Sequence, residues 1–282
     1  MNKWIAGARP KTLPAAIAPV AVGTALAAEN FNPFLALLAL LVSLSLQIGV
    51  NYANDYSDGI KGTDDNRVGP MRLVASGAAS AHQVKRAAYI SLGLGAVFGL
   101  ILALQTSLWL IAIGALAITA AWSYTGGKNP YGYFGFGELS VFVFFGLVAT
   151  MGTYFAQTGT VTLDSLLVAI PMGSLSCALL AINNLRDRDA DELVGKRTLA
   201  VRLGDESART AFIALLIATH ISVLLLFKPW TLLTLLLLPM TISLIKAIRA
   251  GATGAALIPL LGKTGKLQLR FAIALSIGLL LS

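Results

Sequence analysis

An all-α membrane fold with nine crossings is what this 282-residue sequence predicts, and three features predict it. Hydrophobic residues make up 56% of the chain and charged residues only 12%, with a mean hydropathy of +0.77, whereas soluble domains carry roughly 25% charged residues. Nine apolar stretches approach the ~20 residues that a helix rising about 1.5 Å per residue needs to cross a bilayer. The cations fall almost wholly between alternate stretches.

The stretches run over 12–28, 34–54, 86–104, 107–124, 137–156, 163–184, 211–227, 229–247 and 267–281. The first has the basic start of a secretory leader. Pro14 and Pro19 interrupt it, and Arg9, Pro10 and Lys11 stand directly at its start, so it is read as a membrane helix. In the third, Gly95 and Gly99 have the GxxxG spacing of close helix packing. In the seventh, His220 is expected to be packed or hydrogen-bonded, whereas His82 is expected to be a solvated loop residue. With nine crossings, only Lys228 among the 21 Lys and Arg lies on the side opposite the N-terminus, and only Glu29 and Asp164 among the 13 acids. The positive-inside rule then puts the N-terminus in the cytoplasm. No charge falls at mid-depth, where it would cost about 2.5–3.5 kcal/mol, so the chemistry belongs at one face rather than along an ion pathway. One domain spans 1–282, with Asp-rich cytoplasmic loops at 51–85 and 183–209.

Composition narrows that chemistry. A single cysteine, Cys177, excludes a disulfide framework, and with only two histidines a zinc or haem site is excluded too. Any metal is a hard cation on oxygen ligands. The net charge of +8 and pI near 9.7 match orienting loop cations, and no basic face is free of acids, so nucleic acid is not an expected partner.

The candidate site residues lie in two acidic stretches about 130 residues apart. NYANDYSDGIKGTDDNRVGPMR begins at Asn51, and NNLRDRDADELVGKRTLAVRLG begins at Asn183. Each puts an Asn four residues before a central Asp, follows an apolar run, and leads into Gly and then Arg. On a helix, Asp55 and Asp58 (i, i+3) and Asp187 and Asp191 (i, i+4) each share a face. Magnesium is bound through one or two carboxylates completed by substrate phosphates. Each pair is such a partial site, and a diphosphate held between them would complete both. The competing reading is a solvated helix cap at a membrane surface; Asp189 and Glu192, off the shared face, fit it, and Asp64 and Asp65 fit either. Arg67, Arg72, Lys128, Lys196 and Arg202 are candidates to neutralise a leaving diphosphate. The loop Tyr124–Glu138, rich in glycine, offers Tyr131, Tyr133, Phe134 and Phe136 as aromatic faces for an allylic cation.

These motifs resemble the UbiA-type superfamily of intramembrane aromatic prenyltransferases. The resemblance runs through ARPKTLPAAIAPVAVGTALA, NYANDYSD with RVGPMR, YTGG with YGYFGFGE, NNLRDRDAD with GKRTLAVRLG, and the late KLQL. ARPKTL and GKRTLAVRLG are similar to its 1,4-dihydroxy-2-naphthoate branch. The resemblance implies a nine-helix bundle in a cell membrane, bacterial or archaeal, with the active site facing the cytoplasm. It implies Mg2+ on Asp55, Asp58, Asp187 and Asp191 as catalytic and metal residues, with Lys128 beside the acceptor. It implies diphosphate binding by Asn51, Asn54, Arg67, Arg72, Tyr124, Asn183, Lys196 and Arg202. The implied substrates are a polyprenyl diphosphate and 1,4-dihydroxy-2-naphthoate, prenylated with decarboxylation to demethylmenaquinone; the lipid bilayer is the other partner, and no obligate protein partner is implied. The first stretch departs from the broad pattern, with Gly62 where a third Asp is usual. Other acceptors, 4-hydroxybenzoate or homogentisate, are the nearest alternative. A CDP-alcohol phosphotransferase shares Asp55-x-x-Asp58-Gly59 but lacks the rest of its motif here, and a transporter would need polar helices at mid-depth.

Overall fold

The computed structural model describes residues 2–63 and 71–282, and among them every regular element is helical. A short α1 (Lys3–Gly7), capped by the Asn2 side chain, leads through a turn over Pro10–Thr12 into α2 (Pro14–Leu26). The long helices α3 (Pro33–Lys61) and α4 (Ala81–Gln105) start at Asn32 and at a Ser80–Gln83 capping box, which satisfy first-turn N–H groups. After α5 (Trp109–Ser123) comes α6 (Gly137–Thr158), whose middle, Phe142–Val148, widens into a π-helix. Then follow α7 (Leu163–Leu193), α8 (Leu199–Leu224), broken at Gly204 (φ 75°, ψ 174°), α9 (Pro229–Arg249), and α10 (Leu257–Leu280).

Helices α3, α4, α6, α7, α8 and α9 are long and apolar enough to cross a bilayer. The α2 and α5 helices are apolar but shorter, and α10 carries Lys263 and Lys266 in its first half and Arg270 just past its middle. Thus each of the nine sequence stretches contains helix among the described residues, and six of the helices are long and apolar enough to cross. Lys228 lies 3.9 Å from Asp164, so a cation and an acid that the sequence assigns to the side opposite the N-terminus are neighbours.

The acidic stretches differ from the loops expected of them. Residues 51–61 and 183–193 are the last turns of α3 and α7, because the helices stop only where a glycine can take left-handed backbone, at Gly62 (φ 71°) and Gly195 (φ 75°). Both ends close with the same hydrogen bonds: Thr63 N donates to Asp58 O and Gly62 N to Gly59 O, as Lys196 N does to Asp191 O and Gly195 N to Glu192 O.

The α7 helix is the most enclosed of the long helices. Apolar burial gives little drive to helix pairing in lipid, so close contact between small residues has to supply it. Gly146 of α6 and Gly173 of α7 show how: a Cβ on Gly146 would stand 2.6 Å from the Gly173 Cα. Met172, Leu175, Phe212, Leu244, Ile248 and Phe271 fill the core between α7, α8, α9 and α10. In that core His220 Nε2 lies 3.0 Å from the Thr241 hydroxyl and its ring meets Phe271 edge-on, the packed role expected of it, while His82 is exposed but stands in the first turn of α4, not in a loop, because the Ser80 cap starts the helix just before it. Gly95 packs against Leu46 of α3, where a Cβ would come within 2.9 Å. Large apolar side chains left exposed, among them Leu104, Trp109, Leu116 and Leu236, form the kind of surface lipid covers.

Candidate active site

A cavity of about 710 Å³ lies between α2, α3, α5, α6 and α7. One end is walled by Val20, Ala39, Leu102 and Leu110, and the π-helical stretch of α6 adds Phe144, Phe145 and Val148. At the other end α3 and α7 reach it with their acidic last turns: Asn51, Asn54 and Asp58 from one, Asn183 and Asp187 from the other.

The two acidic helix ends meet there across a lysine. Lys196 Nζ lies 3.4 Å from Asp191 Oδ1 and 3.8 Å from Asp58 Oδ2. Its position follows from the α7 end: the turn at Gly195 folds Lys196 back so that its own N–H reaches the Asp191 carbonyl at 2.8 Å. Asp187 also lines the cavity and is held by Arg186, whose Nε and Nη2 donate to its two oxygens at 2.7 Å each. Arg186 Nη1 is buried without a partner among the described residues, a donor suited to a further anionic oxygen.

The glycine-rich loop closes this end. Tyr133 donates its hydroxyl to Asp58 Oδ1 at 2.8 Å, its ring centroid lies 4.8 Å from Lys61 Nζ and 5.3 Å from Lys196 Nζ, and its carbonyl accepts from Arg197 N. Thr125 donates to Asn54 Oδ1 at 2.8 Å, and Lys61 Nζ donates to the Thr125 carbonyl at 2.7 Å. Burial first, and then the Glu138 and Asp58 carboxylates, push the Tyr124 phenol well above its ordinary pKa. Tyr124 therefore lines the cavity as a protonated donor.

Several expected site residues stand elsewhere. Asp55, completely buried, does not pair with Asp58: its Oδ2 accepts from Leu73 N at 2.9 Å and its Oδ1 from Val74 N at 3.3 Å, and it does not line the cavity. Asp55 and Asp58 stand only about 60° apart around the helix, so the difference comes from what covers them: the chain entering α4 lays the N–H groups of Leu73 and Val74 on Asp55, while Asp58 borders the cavity. Asn51 lines the cavity and also braces the N-terminal segment, its Nδ2 donating to Ala8 O and Thr12 Oγ1 and its carbonyl accepting from Arg9. Arg72 is buried and lines the cavity. Lys128 is exposed on its loop, away from the lining, and Arg202 is exposed with its Nε on the Arg197 carbonyl. Asp189 is exposed and paired with Arg188, as its off-face position predicts. Arg67, Asp64 and Asp65 lie outside the described residues. The sequence reading missed Arg186, Lys61 and Thr125, and it read Tyr133 only as an aromatic face; nothing in spacing marks a hydroxyl or an ammonium that reaches its partner across the fold.

The donor set suits a hard cation. Asp58, Asp187 and Asp191 offer carboxylate oxygens, with the amides of Asn54 and Asn183 beside them. Among the described residues no three His, Cys, Asp or Glu group closely enough to hold a metal alone.

A helical membrane bundle with an acidic mouth over an apolar cavity is the architecture of an enzyme that handles an amphiphilic, anionic lipid. The chain belongs to the UbiA prenyltransferase family, whose model matches residues 16–255. It is 51% identical over 278 residues to the 1,4-dihydroxy-2-naphthoate octaprenyltransferase of Mycobacterium tuberculosis (strain ATCC 25618 / H37Rv), covering 97% of this chain and 95% of that protein. It is 39% identical to the protein of the same description from Escherichia coli (strain K12), over 99% of this chain and 95% of that one. In fold it is similar to a UbiA homologue from Archaeoglobus fulgidus solved bound to GPP and Mg2+, with a TM-score of 0.71 at 15% identity over 98% of this chain and 100% of the other.

Proposed function

We propose that this transferase moves a polyprenyl group from polyprenyl diphosphate to 1,4-dihydroxy-2-naphthoate, releasing diphosphate and carbon dioxide and giving demethylmenaquinone in its quinol form. The observation that carries the reading is Lys196, set between Asp58 and Asp191 at the mouth of an apolar cavity, in a chain half identical to a relative described by that activity.

Asp58, Asp187 and Asp191, with Asn54 and Asn183, would hold Mg2+, which when bound draws charge from the leaving diphosphate. Lys196, Arg186 and Arg72 bring cations to the same oxygens. Tyr124 donates a hydrogen bond, and the apolar walls take the prenyl chain. The allylic C–O bond breaks with its electrons on the diphosphate, the ring carbon bearing the carboxylate forms the new C–C bond, and loss of carbon dioxide from that carbon restores the aromatic ring. Phe144 and Phe145, in the cavity wall, offer π-faces to the developing allylic cation. Nine crossings with the N-terminus and acidic mouth in the cytoplasm agree with the cation distribution, and make this a multi-pass protein of the cell membrane.

The test is product formation by the protein purified in detergent, with a polyprenyl diphosphate, Mg2+ and either 1,4-dihydroxy-2-naphthoate or 4-hydroxybenzoate. Prenylated naphthoate that disappears with EDTA is expected. Product from the benzoate alone would move the protein to another acceptor branch, and product unaffected by EDTA would remove the metal.

A further inference from the structure

Helix α10 carries a polar side chain that the diphosphate end of the cavity does not use. Gln268 is 0% exposed. Its Nε2 donates to the Ser176 Oγ of α7 at 2.8 Å, and its Oε1 has no partner among the described residues. An unpaired buried amide oxygen costs about 1–3 kcal/mol, so this contact is not explained by packing alone.

The hydroxyl it fixes faces the cavity wall. Ser176 lines the cavity. Ser91, Thr153, Thr219 and Thr264 donate their hydroxyls back to the carbonyl four residues earlier; among the described residues the one bond of the Ser176 side chain is the one it accepts from Gln268. Its O–H is left to donate.

Depth decides what it would meet. Ser176 lies seven residues before Asn183 on α7, about 10 Å further from the acidic mouth by helical rise. Gly265, one turn before Gln268, stands against the Lys11 carbonyl and Leu179, so the pair sits just below that level and above the apolar end walled by Val20 and Leu102. A prenyl tail has no acceptor atom to offer there. A hydroxylated aromatic ring lying below the diphosphate does.

We infer that Ser176, oriented by Gln268, recognises the aromatic acceptor by donating a hydrogen bond to its 4-oxygen, the ring oxygen farther from the carbon that is alkylated. This rests on the acceptor reading above. Steady-state kinetics of the purified protein test it. Ser176→Ala raises KM for 1,4-dihydroxy-2-naphthoate by about 3- to 10-fold, leaves KM for the polyprenyl diphosphate within about twofold, and Ser176→Thr, which keeps the hydroxyl, stays near wild type. Gln268→Leu moves KM in the same direction. 1-Hydroxy-2-naphthoate, which lacks the 4-oxygen, inhibits wild type and Ser176→Ala with the same Ki. Unchanged acceptor KM, a shift in donor KM instead, or equal weakening of both naphthoates would overturn the inference while wild-type turnover kept the acceptor reading. A wild-type protein that prenylates no naphthoate would overturn both.

Discussion

Aligned by sequence motif, Asn51 and Asp55 of α3 match Asn183 and Asp187 of α7; aligned by their helix ends, at Gly62 and Gly195, the match moves by one residue. Asp58 then falls opposite Asp191, Asn54 opposite Asp187, Asn51 opposite Asn184 and Val50 opposite Asn183. Continuing inward, Gln47 pairs with Leu180, Leu46 with Leu179 and Ser43 with Ser176. All of these except Asp191 line the cavity, and Asp191 shares Lys196 with Asp58. The face each helix gives to the cavity is therefore set in the frame of its end, not in the frame of its Asn-x-x-x-Asp motif. Asp55 has Arg188 as its counterpart, and both are turned away, Asp55 to the N–H groups of Leu73 and Val74 and Arg188 to Asp189 and Asp205.

The comparison breaks most visibly at the cavity-facing acids. Asp58→Ala and Asp187→Ala each lower kcat/KM by about 100-fold or more, because each removes a charge in place to act on the diphosphate; product assays at saturating Mg2+ read this, and a loss under about tenfold would mean that the end-of-helix frame misassigns them. Tyr133→Phe keeps the ring beside Lys61 and Lys196 and deletes the hydroxyl, with its hydrogen bond to Asp58 and its 3.4 Å contact with Thr63 Oγ1. The Mg2+ needed for half-maximal activity rises about 10-fold, whereas no change would make the hydroxyl a bystander. Asp55→Asn acts on stability instead: one of two backbone N–H groups faces an amide NH2, costing about 1–3 kcal/mol, seen as a melting temperature lower by a few degrees with Mg2+ dependence little changed. A Mg2+ requirement that shifts as it does for Tyr133→Phe would restore Asp55 to the site. Lys128→Ala, an exposed cation, leaves activity within about twofold.

Helix positions and the acidic helix ends were legible because each depends on local spacing: apolar runs of crossing length and a glycine after each acidic run. What spacing does not encode is which neighbour a given face meets. The motif makes Asp55 a ligand candidate, yet the stretch before α4 folds back onto it. Lys128 looked like part of the site because its loop is, yet its loop contributes Tyr133 and Thr125 instead. Arg186 carries the same limit in reverse, since its ion pair with the adjacent Asp187 is local, but its Nη1, without a partner among the described residues, is set by the tertiary packing around it.

The division of labour between Asp55 and Asp58 is tested most directly by an experimental structure with Mn2+ in place of Mg2+ and an unreactive polyprenyl diphosphate analogue, with anomalous scattering locating the metal. The account predicts metal peaks about 2.1 Å from carboxylate oxygens of Asp58 and of Asp187 or Asp191, with Asp55 still on the N–H groups of Leu73 and Val74. A metal bound to Asp55 would contradict it.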